Sequence, residues 1–261
     1  MCKPLSNKNI VVTRSLTQGH DLVSLLEADG ADVFHIPTIE IGPPDSWHHC
    51  DEILNSLHAF DWVVFTSTNG VQWFCKRLNE KDRDLRGFST IKVAAVGEST
   101  LAALVKHGIE VDILPDEYHA EGLLRSFENV NMMGGRVLLP GTQTGGRTIL
   151  RDQLAEMGAE AVMVPVYKTR QVKLHRAPDF KRFIRQERLD LITFTSPSTY
   201  KNFVIQLEAD KFRNWLSGGC KLAAIGNVTA DVIEKDGYSV AIIPEKSTIS
   251  EFHKMIVEFY K

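Results

Sequence analysis

Trp62-Val63-Val64-Phe65-Thr66-Ser67 recurs as Leu191-Ile192-Thr193-Phe194-Thr195-Ser196, 129 positions later, and this pair of stretches decides the fold. The correspondence extends outward. Ala94-Ala95-Val96-Gly97 with Thr100 returns as Ala223-Ala224-Ile225-Gly226 with Thr229, and Gly108 and Pro115 return as Gly237 and Pro244. Gly30 with Pro37 matches Gly158 with Pro165 at an offset of 128, so one residue entered between Pro37 and Phe65. A period this long exceeds any solenoid repeat. It reads as two copies of one domain of ordinary size, with a cleft expected between them.

The chain has 261 residues, 43% of them hydrophobic, enough for two modest cores. A net charge of −3 argues against a protein that grips nucleic acid by bulk charge. No apolar run approaches the length of a membrane span, and no signal-peptide core precedes the first strand. Cys2, Cys50, Cys75 and Cys220 show no paired spacing and are expected as reduced thiols in the cytoplasm.

Each copy alternates strand and helix. Asn9–Thr13 is a short β-branched run, as in a buried parallel strand. Leu22, Leu25 and Leu26 follow with helical spacing, and Gly30 stands where a left-handed helix end belongs. Val33–Ile36, Asp61–Thr66, Lys92–Val96 and Val111–Leu114 complete five strands in the first copy. Arg136–Pro140, Val162–Val166, Leu189–Thr195, Lys221–Ile225 and Val240–Ile243 give five in the second. This order predicts a doubly wound parallel sheet in each half. Pro37 and Pro165, each just after a second strand, favour an extended connection leaving the sheet. A change of domain at both prolines and a plain tandem division near residue 130 are both compatible with the periodicity.

Ligands of open parallel sheets bind beyond the carboxyl ends of the strands. Here those ends carry small polar residues: Thr13 and Arg14; Thr66, Ser67 and Asn69; Gly97 and Thr100; Thr195, Ser196 and Ser198; Gly226 and Thr229. Each group precedes a helix, so hydroxyls and free backbone N–H groups form a receptor for oxyanions, although any one loop could simply cap its helix. No glycine-rich dinucleotide or P-loop motif is present. His48-His49-Cys50 places its side chains poorly for one metal ion, so no metal or other cofactor is expected. The basic stretch Lys181–Arg185 reads as a solvated helix face. Tyr167, after Val164-Pro165-Val166, is a phenol able to hydrogen-bond or donate a proton into the cleft.

Together Val11-Val12-Thr13-Arg14, Trp62–Val71, Ala95-Val96-Gly97 with Thr100, Val164–Tyr167 with Thr169, Phe194–Ser198 and Ala224-Ile225-Gly226 with Thr229-Ala230 resemble uroporphyrinogen-III synthases over nearly the whole chain. The resemblance implies two similar flavodoxin-like α/β domains joined by a two-stranded linker, with residues 1–36 and 168–261 in one and 37–167 in the other. It implies a lyase that cyclises hydroxymethylbilane with loss of water and inversion of the last pyrrole ring, without cofactor. Tyr167 matches the family's recurrent tyrosine and becomes the candidate catalytic residue. The family often carries an arginine after the strand at 136–140, where this chain reads Leu139-Pro140-Gly141-Thr142, and Arg147 is the candidate replacement. A monomeric cytoplasmic enzyme with a small-molecule substrate, and no nucleic-acid or membrane partner, is the resulting expectation. The alternatives are a two-domain binding protein of periplasmic type and a sensor that holds a tetrapyrrole or another anion without turnover.

Overall fold

The structure, a computed structural model, describes residues 3–82, 90–117, 119–144 and 149–261. Its strands are β1 (Asn9–Val12), β2 (Asp32–His35), β3 (Ile39–Gly42), β4 (Trp62–Phe65), β5 (Lys92–Ala95), β6 (Arg136–Thr142), β7 (Glu160–Gln171), β8 (Leu191–Phe194) and β9 (Lys221–Ala224). The helices are α1 (Leu16–Ala28), α2 (His48–Asn55), α3 (Thr68–Glu80), α4 (Glu98–Lys106), α5 (Ala120–Phe127), α6 (Ile149–Glu156), α7 (Phe180–Phe183), α8 (Pro197–Val204), α9 (Ala209–Ser217), α10 (Asn227–Lys235) and α11 (Ile249–Phe259). The fold is mixed α/β with parallel sheets.

Two compact units account for these elements: Met1–Glu40 with Arg170–Lys261, and Ile41–Thr169. In the first, the sheet order is β2-β1-β8-β9, and every ladder is parallel. In the second the order is β3-β7-β6-β4-β5, with parallel ladders from β7 through β5. Alternate residues of each strand enter different cores, as a period of two requires. Val63 and Phe65 pack with α2 and α3, whereas Trp62 and Val64 pack with α5 and α6. Val11, Ile192 and Phe194 likewise enter one core and Ile10, Val12 and Leu191 another. Sheets covered on both faces explain why these strands are continuous apolar runs.

The two sheets share local devices. Asp61 Oδ2 accepts from the Arg136 N–H at 2.8 Å, and Asp190 Oδ2 accepts from the Asn9 N–H at 2.9 Å. Each aspartate lies just before an internal strand of its sheet, β4 or β8, and satisfies the first donor of the neighbouring strand. Gly30 (φ +96°) and Gly158 (φ +88°) follow α1 and α6 in the left-handed region that glycine enters without steric cost.

Several elements differ from the sequence reading. Pro165 does not lead the chain out of its sheet: it lies inside the twelve-residue β7. The register against β6 shifts between Gly141 and Thr142, which pair with Pro165 and Tyr167, so a bulge at Val166 accommodates the proline's missing donor. β3 has no counterpart in the sequence reading, being only four residues long with two prolines just beyond it. The fifth strands shrink to single parallel bridges, Ala94 to Ile113 and Ala223 to Ile242. In the first of these, the Asp112 carboxylate rather than a main-chain carbonyl accepts from the Val93 N–H at 2.7 Å. The basic stretch at 181–185 is not a free solvated face. Arg182 binds the Asp32 carboxylate and the Val33 carbonyl and stacks 4.1 Å from the Phe34 ring.

Candidate functional site

The helices that follow parallel strands start in two ways. Ser67, the N-cap of α3, accepts from the Gly70 N–H at 3.1 Å. Ser196, the N-cap of α8, accepts from the Thr199 N–H at 3.2 Å, and the Thr199 hydroxyl accepts from the Ser196 N–H at 3.2 Å. That capping box, with Pro197 at the first turn, satisfies the helix start internally. By contrast α4 and α10 start at Gly97 and Gly226, both extended, with no side chain to accept from the first turn. The Thr100 and Thr229 N–H groups donate to the Gly97 and Gly226 carbonyls at 2.9 and 3.0 Å, and the positive dipole ends of both helices carry no side-chain cap. Gly226 also admits Ser247, whose Oγ would lie 2.3 Å from a Cβ at this position. The N-cap of α1, Ser15, makes no cap hydrogen bond although it is fully buried.

The remaining predicted residues sort by exposure. Thr66 and Ser198 are exposed, and Asn69 and Thr195 are half-buried. The Ser198 hydroxyl lies 2.9 Å from that of Ser196. Thr100 and Thr229 are buried in the third position of α4 and α10. Thr13 is also buried. Its hydroxyl donates to the Thr193 carbonyl at 2.7 Å and its carbonyl accepts from the Thr38 N–H, so it joins β1 to β8 and to the segment before β3. Arg14 is half-buried, and its Nε is buried without a hydrogen-bond partner among the described residues. Desolvation lowers its pKa, with Asp21 opposing; a guanidinium stays charged regardless. Arg147 lies outside the described residues.

Tyr167 sits in β7 just past the bulge and is buried in the core that includes Phe65, Val71 and Val166. Its Oη lies 3.4 Å from Ser67 Oγ, so the bulge in β7 and the N-cap of α3 bring these two hydroxyls together. Burial pushes the phenol up from its ordinary value, against a smaller downward pull from the Ser67 hydroxyl. The group therefore keeps its proton at neutral pH. Its carbonyl accepts from the Gln143 N–H at 2.7 Å, tying the strand end to the chain that leaves β6.

Sequence reasoning missed Ser15 and His35. A serine directly before an apolar helical pattern is an ordinary N-cap signal and could have found the first. Nothing local marks His35, which becomes notable only through the helix packed against it. His48 and His49 flank Glu52 on the exposed side of α2, at 3.4 and 3.9 Å, while Cys50 is buried on the other side. Among the described residues, no helix is long and apolar enough to cross a membrane.

Comparison with known proteins agrees with this picture. The family described as uroporphyrinogen-III synthase HemD matches residues 20–253. A uroporphyrinogen-III synthase from Synechococcus elongatus is 34% identical over 87% of this chain and 86% of its own. One from Chlorobaculum parvum is 34% identical over 97% of this chain and 100% of its own. Among solved structures, a mutant uroporphyrinogen III synthase from Thermus thermophilus superposes with a TM-score of 0.67 at 18% identity, covering 97% of both chains. That from Helicobacter pylori superposes with a TM-score of 0.60 at 16% identity, covering 97% of this chain and 99% of its own. The chain belongs to the uroporphyrinogen-III synthase family, lyases of tetrapyrrole biosynthesis.

Proposed function

We propose that the protein converts hydroxymethylbilane to uroporphyrinogen III, closing the linear tetrapyrrole with loss of water and inversion of its last ring. The observation that carries this reading is the set of strand-end helices α1, α4 and α10, which start without a side-chain cap in both compact units. Such N-termini suit a carboxylate-rich substrate and need no strongly basic surface. In this reading Gly97 and Gly226 present amides to carboxylates, Arg14 adds a cation, and Thr66, Ser67, Asn69, Thr195, Ser196 and Ser198 line the same strand ends. Thr13, Thr100 and Thr229 support these loops from beneath, and Arg147 supplies a further cation.

The chemistry starts with departure of the substrate hydroxyl. Tyr167 gives its proton to that oxygen, which leaves as water, and the remaining azafulvenium cation is attacked by the substituted carbon of the last ring to form a spiro intermediate, the proton released on final closure restoring the phenol. Ring opening and reclosure then deliver the inverted ring. A buried phenol beside a hydroxyl that can pass on a proton supports this role, and general acids of this kind contribute about 10²–10⁴-fold. The rest is orientation of a flexible chain.

The common strand order of the two sheets and their matched aspartates support descent of both units from one flavodoxin-like domain. The domains are then residues 1–36 with 168–261, and 37–167, joined by the strand pair β3 and β7. Three buried, unpaired thiols, Cys50, Cys75 and Cys220, support a reducing, cytoplasmic setting for a monomer. Incubating the purified protein with freshly made hydroxymethylbilane and identifying the product isomer tests the reading. Inverted product well above the spontaneous rate is expected, whereas only the uninverted isomer at the spontaneous rate would reject it.

A further inference from the structure

His35 ends β2 with its ring nearly buried, 8% exposed. Its Nε2 lies 3.0 Å from the Arg14 carbonyl oxygen, which can only accept, so the neutral ring carries its proton on Nε2. The main-chain N–H of His35 is held in turn by Asp179 Oδ2 at 2.9 Å. The ring has space because α1 carries glycine at its fourth position: a Cβ on Gly19 would lie 2.4 Å from His35 Nε2 and 2.7 Å from Cε1. On the other side of this clamp are two buried polar atoms without partners among the described residues, Arg14 Nε and Ser15 Oγ. Ser15 is 1% exposed and caps α1 without using its hydroxyl. A buried guanidinium nitrogen and a buried hydroxyl without hydrogen bonds are costly, and an anion at the start of a thirteen-residue helix satisfies both.

We infer that His35, accommodated by Gly19, is a positioning residue that fixes the Arg14-Ser15 turn so that Arg14 Nε, Ser15 Oγ and the start of α1 meet one substrate carboxylate. This rests on the reading of Arg14 as a carboxylate ligand. The groups around the ring are His20, edge-on at 6.2 Å between centroids, Asp179 and the Arg14 main chain. Burial lowers the His35 pKa, and His20 adds to that, while the Arg14 and Ser15 carbonyls and Asp179 oppose it. The ring is therefore neutral at pH 7.

The experiment is a double-mutant cycle on the full-length protein with hydroxymethylbilane as substrate. R14Q should raise KM about ten- to hundredfold, as expected for a lost charge-assisted contact. H35F keeps the ring volume and removes the donor; it should raise KM several-fold with a smaller change in kcat, and H35Q, which restores an N–H at the same reach, should recover most of it. G19A retains every polar atom but displaces the ring. It should reproduce the H35F rise in KM, measured well below a melting temperature that falls by a few degrees, because the overlap with the buried ring outweighs alanine's better helix propensity. If His35 acts through the Arg14-Ser15 turn, adding H35F to R14Q raises KM by less than H35F does alone, because one of the contacts it positions is already gone. Multiplicative effects in the double variant, or a G19A enzyme with wild-type KM, would overturn the inference. Should R14Q alone leave KM unchanged, the carboxylate reading of Arg14 fails instead.

Discussion

At the scale of single residues, the structure separates groups that hold the fold from groups held ready. Tyr167 is the clearest candidate of the second kind: its ring is core, and among the described residues its hydroxyl meets only Ser67. Tyr167→Phe removes that hydroxyl and leaves the packing. Stability should change by under about 1 kcal/mol, the worth of one long hydrogen bond, and turnover should fall by one to a few orders of magnitude. Released substrate would then close unaided, so the uninverted isomer should rise in a product analysis. Full rate with pure inverted product would show the hydroxyl dispensable. Asp51 belongs to the first kind. Arg77 grips its carboxylate through two nitrogens at 2.8 and 2.7 Å and Lys81 adds a contact at 2.9 Å, which together hold it down at about 2. A depressed carboxylate stabilises above its unfolded value of about 3.9 and loses that contribution as pH falls toward 2. Asp51 is partly exposed, so screening reduces the effect to about 1 kcal/mol. In urea unfolding, Asp51→Asn should trail the parent by that amount at pH 5 to 7, and the gap should narrow by pH 3.

At the scale of elements, helix starts are of two kinds, capped by a serine in α3 and α8 and uncapped in α4 and α10, and the proposed function gives binding to the second kind. Ser196→Ala removes a capping box from α8 and should cost about 1 kcal/mol in urea unfolding, within the known range for such caps. KM should shift little, because those amides are already satisfied within the helix. An equal loss in KM and stability would mean that the cap also binds substrate. The same elements show what is readable from sequence. Strands such as β4, apolar throughout, and β8, apolar but for Thr193, are buried at every position and easily found. The helices after them announce themselves by apolar spacing, as in Val71, Phe74, Cys75 and Leu78, all buried. The fifth strands misled because their residues look extended while pairing through one bridge each. β7 misled because a proline inside a strand reads as its end unless a bulge is foreseen. Of the candidate site, the loops were legible, but whether a hydroxyl was free or already spent on a cap was not. That distinction depends on angles at Ser15, Ser67 and Ser196 that the residue names do not encode. His35 was invisible for a related reason: its role depends on a glycine sixteen positions earlier in a different element.

At the scale of the whole molecule, the strand order makes the first unit discontinuous in sequence and the second continuous. β1 lies between β2 and β8, so residues 1–40 contribute both the centre and one edge of their sheet. A fragment of residues 41–169 should therefore unfold cooperatively in urea, since its strands and both its cores come from one stretch of chain. Residues 1–40 alone should show no cooperative transition. Uncooperative behaviour of 41–169 would count against its being a domain. The ladder between β1 and β8 also sets a schedule during synthesis. The Thr193 hydroxyl donates to the carbonyl of Val11, a separation of 182 residues. At translation rates of about 5–20 residues per second, β1 emerges roughly 10–40 seconds before its central partner exists. The middle stretch is complete well before then and can fold on the ribosome, while β1, able to pair with β2 on one side, keeps its β8 edge open. For that interval the open edge is exposed to wrong pairing, the hazard that chaperones counter. Slowing elongation after residue 40 should lengthen its exposure to aggregation without altering the finished protein.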